Sequence, residues 1–275
     1  MADDSGIWMY AVADRMAPEW FRDVAGIAGE PVRAISAGGL SAAVTTVRLA
    51  EFGEQALRRN LEDLGWLEKV ARIHHDVIEA AAQHGPVLPM RLATVFRSDA
   101  NAAAELARRQ EDFAAALRRV TGRTEWGVKV SARPPATVEG FPEADRSGTG
   151  GTGPGAAFLR RRRTQLTARD NARQTVAADA EKIHLALDEL AVASYARPPQ
   201  DPKLTGHAEW MVLNGAYLVG EEGSAGFAAA VHRLGADYPE LRIELTGPWP
   251  PYSFAVVEEL DAGPTGTGER QETAR

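Results

Sequence analysis

The chain has 275 residues, of which 44% are hydrophobic and 25% are charged, and its net charge is −7. This hydrophobic content excludes a largely disordered chain, and the acidity argues against a non-specific nucleic-acid binder, which needs excess positive charge to meet the phosphates. The absence of cysteine excludes a disulfide framework, a thiolate nucleophile and any cysteine-ligated metal site.

The chain shows neither a signal-peptide pattern nor an apolar stretch near the roughly 20 residues that span a bilayer. We therefore expect a soluble, cytoplasmic protein without membrane contacts.

The first half mixes strand and helix patterns, which predicts an α+β fold. Strand patterns cover residues 7–12, 32–35, 42–49 and 125–131. Helical spacing follows Pro18 as far as Ile27 and recurs over residues 61–84 and 98–120. Gly38 and Gly39 predict a hairpin turn between the second and third strands. Residues 87–96 are extended, and Pro89 restricts them to an edge strand, a bulge or two short strands.

The helix over 61–84 carries two adjacent histidines. His74 lies on its apolar face, so we expect a buried, hydrogen-bonded side chain. His75 points about 100° away toward Glu79, so the two histidines cannot chelate one ion together. The sequence therefore predicts no metal site.

Residues 134–154 are rich in proline, glycine, serine and threonine, and they predict a flexible linker. We therefore expect an N-terminal domain over 1–133, a C-terminal domain over 155–260 and a low-complexity tail over 261–275. The linker also contains a G-x-G-x-x-G match, but this match lacks the preceding strand that a dinucleotide site requires.

The second half opens with a long predicted helix, about residues 156–195. Strands over 210–219 and 241–245 flank a helix that we expect Ser224 to cap. The segment Gly247–Phe254 is a rigid loop with several aromatic residues. The order of helices and strands in the second half again indicates an α+β fold.

Three features are candidates for contact with a partner. Four consecutive arginines, Arg160, Arg161, Arg162 and Arg163, begin the polar half of the long helix, either as a solvated helix start or as a site for an acidic partner. Trp249 and Tyr252 are either binding anchors or rings that close the core of the second domain. Arg91 is either a buried, paired arginine or an interface residue.

Motifs for catalysis are missing. Gly223–Gly226 is not a nucleophile elbow, because Glu222 stands where the first glycine belongs. The chain has no P-loop, HExxH, kinase or EF-hand pattern. We expect neither an enzymatic activity nor a cofactor or small-molecule substrate.

Several segments together resemble the gas vesicle protein F/L family. They are the first strand with Tyr10, Pro86–Arg91 after the histidine-bearing helix, Thr94–Phe96, Ala157–Leu159 with its arginines, Asn214–Val219 and Gly247–Phe254. Gly247–Phe254 is the most specific of these segments.

The resemblance implies two ferredoxin-like or modified ferredoxin-like domains, the second opened by the long helix. It also implies a minor or accessory gas vesicle protein that binds the small hydrophobic shell protein and assists assembly. Other accessory proteins are further candidate partners. We expect an open sheet edge or the polar long helix to contact the shell protein. The alternatives are an enzyme on ferredoxin-like domains and a regulator whose basic helix contacts nucleic acid. The residues do not separate an F-like from an L-like protein.

Overall fold

The computed structural model describes residues 4–132, 154–197 and 210–255. The chain forms two compact units. Unit 1 comprises Met1–Glu125 and Pro248–Arg275, and unit 2 comprises Trp126–Gly247. This division differs from the predicted domains, because it falls inside a strand and returns the segment from Pro248 onward to unit 1. The predicted tail and all of the predicted linker except Pro154 lie outside the described residues.

Unit 1 is built on an antiparallel sheet. Its strands are β1 Ser5–Ala13, β2 Arg33–Ala37, β3 Leu40–Arg48, β4 Leu88–Pro89 and β5 Val95–Phe96. They lie in the order β2-β3-β1-β4, and β5 also pairs with β1. Gly38 and Gly39 have φ angles of 60° and 75° between β2 and β3, which confirms the predicted hairpin turn.

The helix predicted after Pro18 is wrong. The structure has two 3₁₀ segments there, Pro18–Phe21 and Ile27–Gly29. Ala28 has φ 60° and Gly29 has φ 77°, so the backbone reverses where a helix would continue. A bridge between Ala25 and Pro31 closes this turn, which carries the chain back to the sheet.

The helices of unit 1 are α1 Leu49–Phe52, α2 Glu54–Asn60, α3 Leu64–Ala82, α4 Asp99–Arg108 and α5 Gln110–Val120. The α3 helix begins three residues later than predicted, because the Asp63 carboxylate caps it by accepting from the N–H groups of Gly65 and Trp66. Ser98 caps α4 as predicted.

The single helix predicted over 98–120 is two helices. Arg109, with φ −110° and ψ 24°, breaks it between α4 and α5. Its buried side chain pairs with Asp112 at 3.3 Å.

Unit 2 has the element order β-α-β-β-α-β. Its elements are β6 Arg123–Ala132, α6 Pro154–Asp188, β7 Ala193–Ala196, β8 Trp210–Gly220, α7 Ser224–Asp237 and β9 Leu241–Trp249. The strands lie in the order β7-β8-β6-β9. Two predictions are wrong: the long helix ends at Asp188, before β7, and Gly223 rather than Ser224 is the N-cap of α7.

The β7 strand forms because residues 192–197 find backbone partners on β8. The Val192 N–H donates to the Leu218 carbonyl at 2.8 Å, and the Arg197 N–H donates to the Asn214 carbonyl at 2.8 Å. A tertiary pairing therefore ends the helical pattern early.

Each unit has its own core. In unit 1, α3 packs Val70, Val77 and Ile78 against a sheet face that includes Trp8 and Tyr10. In unit 2, the last turns of α6 and the helix α7 cover one sheet face, with Ile183, Leu187, Tyr217, Phe227 and Val231 fully or nearly fully buried. Within the described residues, no helix is both long enough and apolar enough to cross a membrane.

Candidate protein-binding surfaces

His74 links α3 to two parts of the sheet in unit 1. The indole N–H of Trp8 donates to Nδ1 at 3.0 Å, so Nε2 carries the proton and donates to the Met90 carbonyl at 3.0 Å. Burial lowers the pKa of His74 to about 4, against the opposing effect of the Met90 hydrogen bond. The prediction of a buried, hydrogen-bonded histidine is confirmed.

Arg91 directly follows Met90, whose carbonyl accepts the hydrogen bond from His74. Its side chain is exposed, so of the two predicted alternatives the buried arginine is wrong. The Arg91 carbonyl accepts from both the N–H and the hydroxyl of Thr94, and Ala93 adopts φ 66°. This tight turn after Met90 presents Arg91 to solvent.

The strap is the segment of residues 248–255, which begins with the last two residues of β9 and belongs to unit 1. Ser253 fastens it, because its N–H and its hydroxyl donate to the two carboxylate oxygens of Glu125 at 2.7 and 2.5 Å. Glu125 is buried, and Arg119 donates to the carbonyl of Phe254, whose ring is also buried. Charge-assisted hydrogen bonds to a buried carboxylate fix the position of the strap.

The aromatic rings of the strap contact α3. The Tyr252 hydroxyl lies 3.0 Å from Nδ1 of His75, and the Trp249 ring meets the His75 ring edge-on at 5.6 Å. Burial raises the pKa of Tyr252, and the carboxylates of Glu125 and Glu79 act in the same direction, so the phenol stays protonated.

The expectation that these rings close the core of the second domain is therefore wrong: they pack on unit 1. Tyr252 is partly buried there, whereas Trp249 remains 45% exposed. The strap thus holds a large aromatic ring half in solvent, which is the form of a binding anchor.

His75 faces Glu79 one turn further along α3. Its Nε2 lies 3.9 Å from Glu79, as the helical spacing predicts. Among the described residues, no group of three or more histidine or acidic side chains could hold a metal ion.

The basic run lies on α6 in unit 2. Arg162 and Arg163 are exposed, while Arg160 and Arg161 belong to the helix but their side chains lie outside the description. Core packing of α6 begins only near Val176. Of the four consecutive arginines, the two whose side chains are described therefore lie in solvent.

The two edges of the sheet in unit 2 differ. The β9 edge carries an Arg242–Glu244 ion pair, which discourages pairing with another strand. The β7 edge, of sequence Ala-Ser-Tyr-Ala, has no charge and no proline, and within the described residues β8 is its one strand partner. Its neighbourhood exposes Leu190, Val192 and Tyr195 by 48, 56 and 54%.

Sequence reasoning missed this edge because the helical pattern was extended through it. The β-branched and aromatic residues Val192 and Tyr195, close before Pro198, were the available signal. The candidates thus form two groups. Arg91, Trp249 and Tyr252 lie in unit 1, and the arginines of α6 lie in unit 2.

Comparisons with known proteins identify the family of the chain. The family model of the gas vesicle synthesis protein GvpL/GvpF matches residues 6–256. Gas vesicle protein L of Streptomyces sp. (strain CB03234) is 40% identical over 268 residues, covering 96% of this chain and 98% of the relative. Gas vesicle protein F of the same strain is 29% identical, covering 90% of this chain and 98% of the relative.

Solved structures share the fold. The crystal structure of the gas vesicle protein GvpF from Anabaena sp. PCC7120 superposes with a TM-score of 0.63 over 93% of this chain and 98% of that chain, at 19% identity. GvpF from Microcystis aeruginosa gives a TM-score of 0.62 at 18% identity, over 92% of this chain and 99% of that chain.

Proposed function

Because the chain belongs to the gas vesicle GvpL/GvpF family, we propose that it binds the hydrophobic gas vesicle shell protein and assists its assembly. The role is that of a chaperone or nucleation factor acting on the cytoplasmic gas vesicle, alone or with other accessory proteins. It works through surface complementarity and uses neither a catalytic site nor a cofactor. The higher identity to protein L than to protein F of one strain favours an L-like role.

The β7 edge is the main contact in this proposal. An unpaired edge strand offers a row of backbone N–H and C=O groups to an incoming strand, and nearby apolar side chains cover its apolar face. Among the described residues the β7 edge has both, since β8 is its one strand partner there and Leu190, Val192 and Tyr195 are about half exposed. The uncharged edge is the observation that carries the proposal.

Trp249 on the strap is the second contact. A tryptophan held in place before binding loses little conformational entropy when it is covered, which strengthens association. Tyr252, Ser253 and Phe254 hold the strap, and Arg91 is an exposed cation of the same unit.

We also infer that unit 2 is a ferredoxin-like domain. Its β-α-β-β-α-β order, with the first strand between the third and fourth, supports this assignment. Unit 1 has the corresponding strand order with a different first crossover, so we infer a modified form of the same fold.

Co-expression with the shell protein followed by affinity capture tests the proposal. We expect capture at physiological salt, and a Tyr195→Lys variant should lose most of it, because a charge on the edge opposes strand pairing. The matched control is Thr246→Lys, which adds the same charge to the exposed face of β9. Absence of association with the wild-type chain contradicts the proposal.

A second variant separates the two contacts. Trp249→Ala removes an exposed aromatic ring, and we expect capture to fall about tenfold, in the range of a hot-spot residue. Leu64→Ala is the control, since Leu64 is 78% exposed but lies at the start of α3 outside the strap. Equal effects of the two substitutions would remove Trp249 from the interface.

A further inference from the structure

The α6 helix segregates charge along its length. Residues 160–173 contain six arginines and one aspartate: Arg160, Arg161, Arg162, Arg163, Arg169, Arg173 and Asp170. Residues 174–189 contain four acids and one lysine: Asp179, Glu181, Asp188, Glu189 and Lys182. One helix therefore has a basic half and an acidic half, within a chain whose net charge is −7.

Both halves keep a face in solvent. The core stripe of α6 is Val176, Ala180, Ile183 and Leu187. Opposite it, all described residues at helical spacing are exposed: Arg163, Thr167, Asn171, Gln174, Ala178, Glu181, Leu185 and Asp188. This stripe runs about 38 Å at 1.5 Å per residue.

The pattern of the stripe suits a helical partner. Its members recur every three or four residues, as do the contact positions of paired helices. The middle positions Asn171, Gln174 and Ala178 are uncharged, so two such helices can approach there without repulsion. Leu185, 53% exposed, is its apolar member.

We propose that α6 binds α6 of a second copy in antiparallel orientation. A two-fold interface uses the same patch on both copies, so the patch must complement itself. A parallel pair would place the two basic halves together. An antiparallel pair places each basic half against the acidic half of the other copy.

A two-fold axis at the height of Val176 gives the best match of charges. Arg163 then lies level with Asp188 and Glu189 of the other copy, and Thr167 lies level with Leu185. The same register brings Asp170 close to Glu181, which is its one unfavourable contact along the stripe. The attraction comes from exposed ion pairs, so it is weak individually and decreases with salt.

Sedimentation of the full chain over about 1 to 200 µM, a range that detects weak complexes, tests self-association. We expect a dimer whose dissociation constant rises about tenfold or more between low salt and 0.5 M salt, because exposed ion pairs are screened there. A chain that remains monomeric over the whole range overturns the proposal.

Charge reversal tests the orientation. Arg162→Glu/Arg163→Glu and Asp188→Arg/Glu189→Arg should each abolish the dimer, because each makes both contacts repulsive. An equimolar mixture of the two variants should dimerise again, since every contact between them is then complementary. Failure of the mixture to associate overturns the antiparallel arrangement.

Cysteine cross-linking fixes the register, because the natural chain has no cysteine. Thr167→Cys and Leu185→Cys variants should form a disulfide-linked dimer when mixed, whereas neither variant should cross-link to itself. The two copies of residue 167 would lie about 27 Å apart along the antiparallel pair. Cross-linking of Thr167→Cys to itself would indicate a parallel pair and overturn the proposal.

A single substitution checks the unfavourable contact. Asp170→Asn should tighten the dimer about two- to fivefold by removing the repulsion with Glu181, as expected for an exposed charge pair. A weaker dimer would contradict the register. These outcomes concern copies of this chain alone, so they are independent of shell-protein binding.

Discussion

The two units arrange their strands alike but connect them differently. In each sheet, the strand that opens the unit lies between the third and the fourth strand of that unit, in the orders β2-β3-β1-β4 and β7-β8-β6-β9. In unit 1, two 3₁₀ segments between Pro18 and Gly29 connect the first two strands. In unit 2, the connection contains the 35-residue helix α6.

A buried tyrosine holds each connection. In unit 1, the Tyr10 hydroxyl accepts from the Ile27 N–H at 2.8 Å. In unit 2, the Tyr217 hydroxyl lies 2.9 Å from Nδ1 of His184 on α6. Burial raises the pKa of both phenols.

The two tyrosines differ in their hydrogen-bond partners, which are a backbone N–H for Tyr10 and a histidine side chain for Tyr217. A helix pairs its own backbone groups, so Tyr217 meets only a side chain. The 3₁₀ connection leaves a buried N–H that needs the Tyr10 oxygen. A β-carbon added at Gly26 would lie 2.9 Å from that oxygen, so glycine permits this close approach. A short irregular connection thus depends on single contacts that a helix does not need.

The largest expected effect is the pH dependence that buried His74 of unit 1 gives to the free energy of unfolding. The pKa of His74 is lowered from its ordinary 6.5 to about 4. As pH falls below 6.5 the unfolded chain takes up a proton that the native chain does not, so stability decreases down to about pH 4. His74→Gln, whose amide can still accept from Trp8 and donate to Met90, should remove about 2.5 kcal/mol of the loss between pH 7 and 4.5.

Urea unfolding at the two pH values measures this difference. His184→Gln in unit 2 is the matched control, since it removes a histidine that bonds a sheet tyrosine. Identical pH responses of the two variants would show that burial of His74 does not set the acid sensitivity.

The next effect tests the tyrosines. Tyr10→Phe leaves the Ile27 N–H buried without its acceptor, and we expect a loss of about 2 kcal/mol. Tyr217→Phe leaves a partly exposed imidazole nitrogen that water can reach, so we expect a loss of about 1 kcal/mol. Chemical denaturation measures the free energy of unfolding of both variants. A larger loss for Tyr217→Phe would contradict the inference that the irregular connection depends more on its tyrosine than the helical one does.

The strap provides a smaller effect that is confined to one unit. Ser253→Ala removes a hydroxyl bond to Glu125, so we expect a loss of about 1 kcal/mol. Amide hydrogen exchange should become faster in α3 of unit 1 and stay unchanged in α7 of unit 2. Ser224→Ala, which removes a hydroxyl bond to Gly220 within unit 2, should show the opposite pattern. Faster exchange in α7 for Ser253→Ala would contradict the assignment of the strap to unit 1.

The smallest effect concerns the edge strands. Arg33 on β2 binds the Asp99 carboxylate with both terminal nitrogens, at 3.0 and 2.6 Å, so unit 1 ties its edge to α4. Asp99→Asn should cost less than about 1 kcal/mol, because the pair is partly exposed. Repeating the thermal melts in 0.5 M salt should remove most of the difference; a salt-independent loss would show that the ion pair is not its source.

Patterns with a local cause could be predicted from sequence. The Gly38–Gly39 turn, the Ser98 cap and the apolar face of α3 with His74 were all predicted correctly, because each depends on residues near in sequence. The resemblance to gas vesicle proteins was also visible in short strings and is confirmed by the family comparison.

The failures share a different cause. The connection after Pro18 has helical spacing, yet its backbone follows the sheet and the Tyr10 oxygen. The end of α6 has helical spacing, yet β8 supplies better partners to residues 193–196. Trp249 and Tyr252 were placed in the C-terminal domain, but they belong to unit 1, because no local rule says which core an aromatic segment joins.

The sequence by itself determined the long helices and strands with strong periodicity, the Gly38–Gly39 turn, the Ser98 cap and the family. Tertiary structure alone decided that residues 248–255 belong with unit 1, where the strap packs, and that β7 exists as an uncharged edge. The physical reason is the separation along the sequence between the residues that interact. Turns and caps are set by bonds between near neighbours, whereas the buried partner of Ser253 is Glu125, which is distant in sequence and becomes available only when the chain has folded.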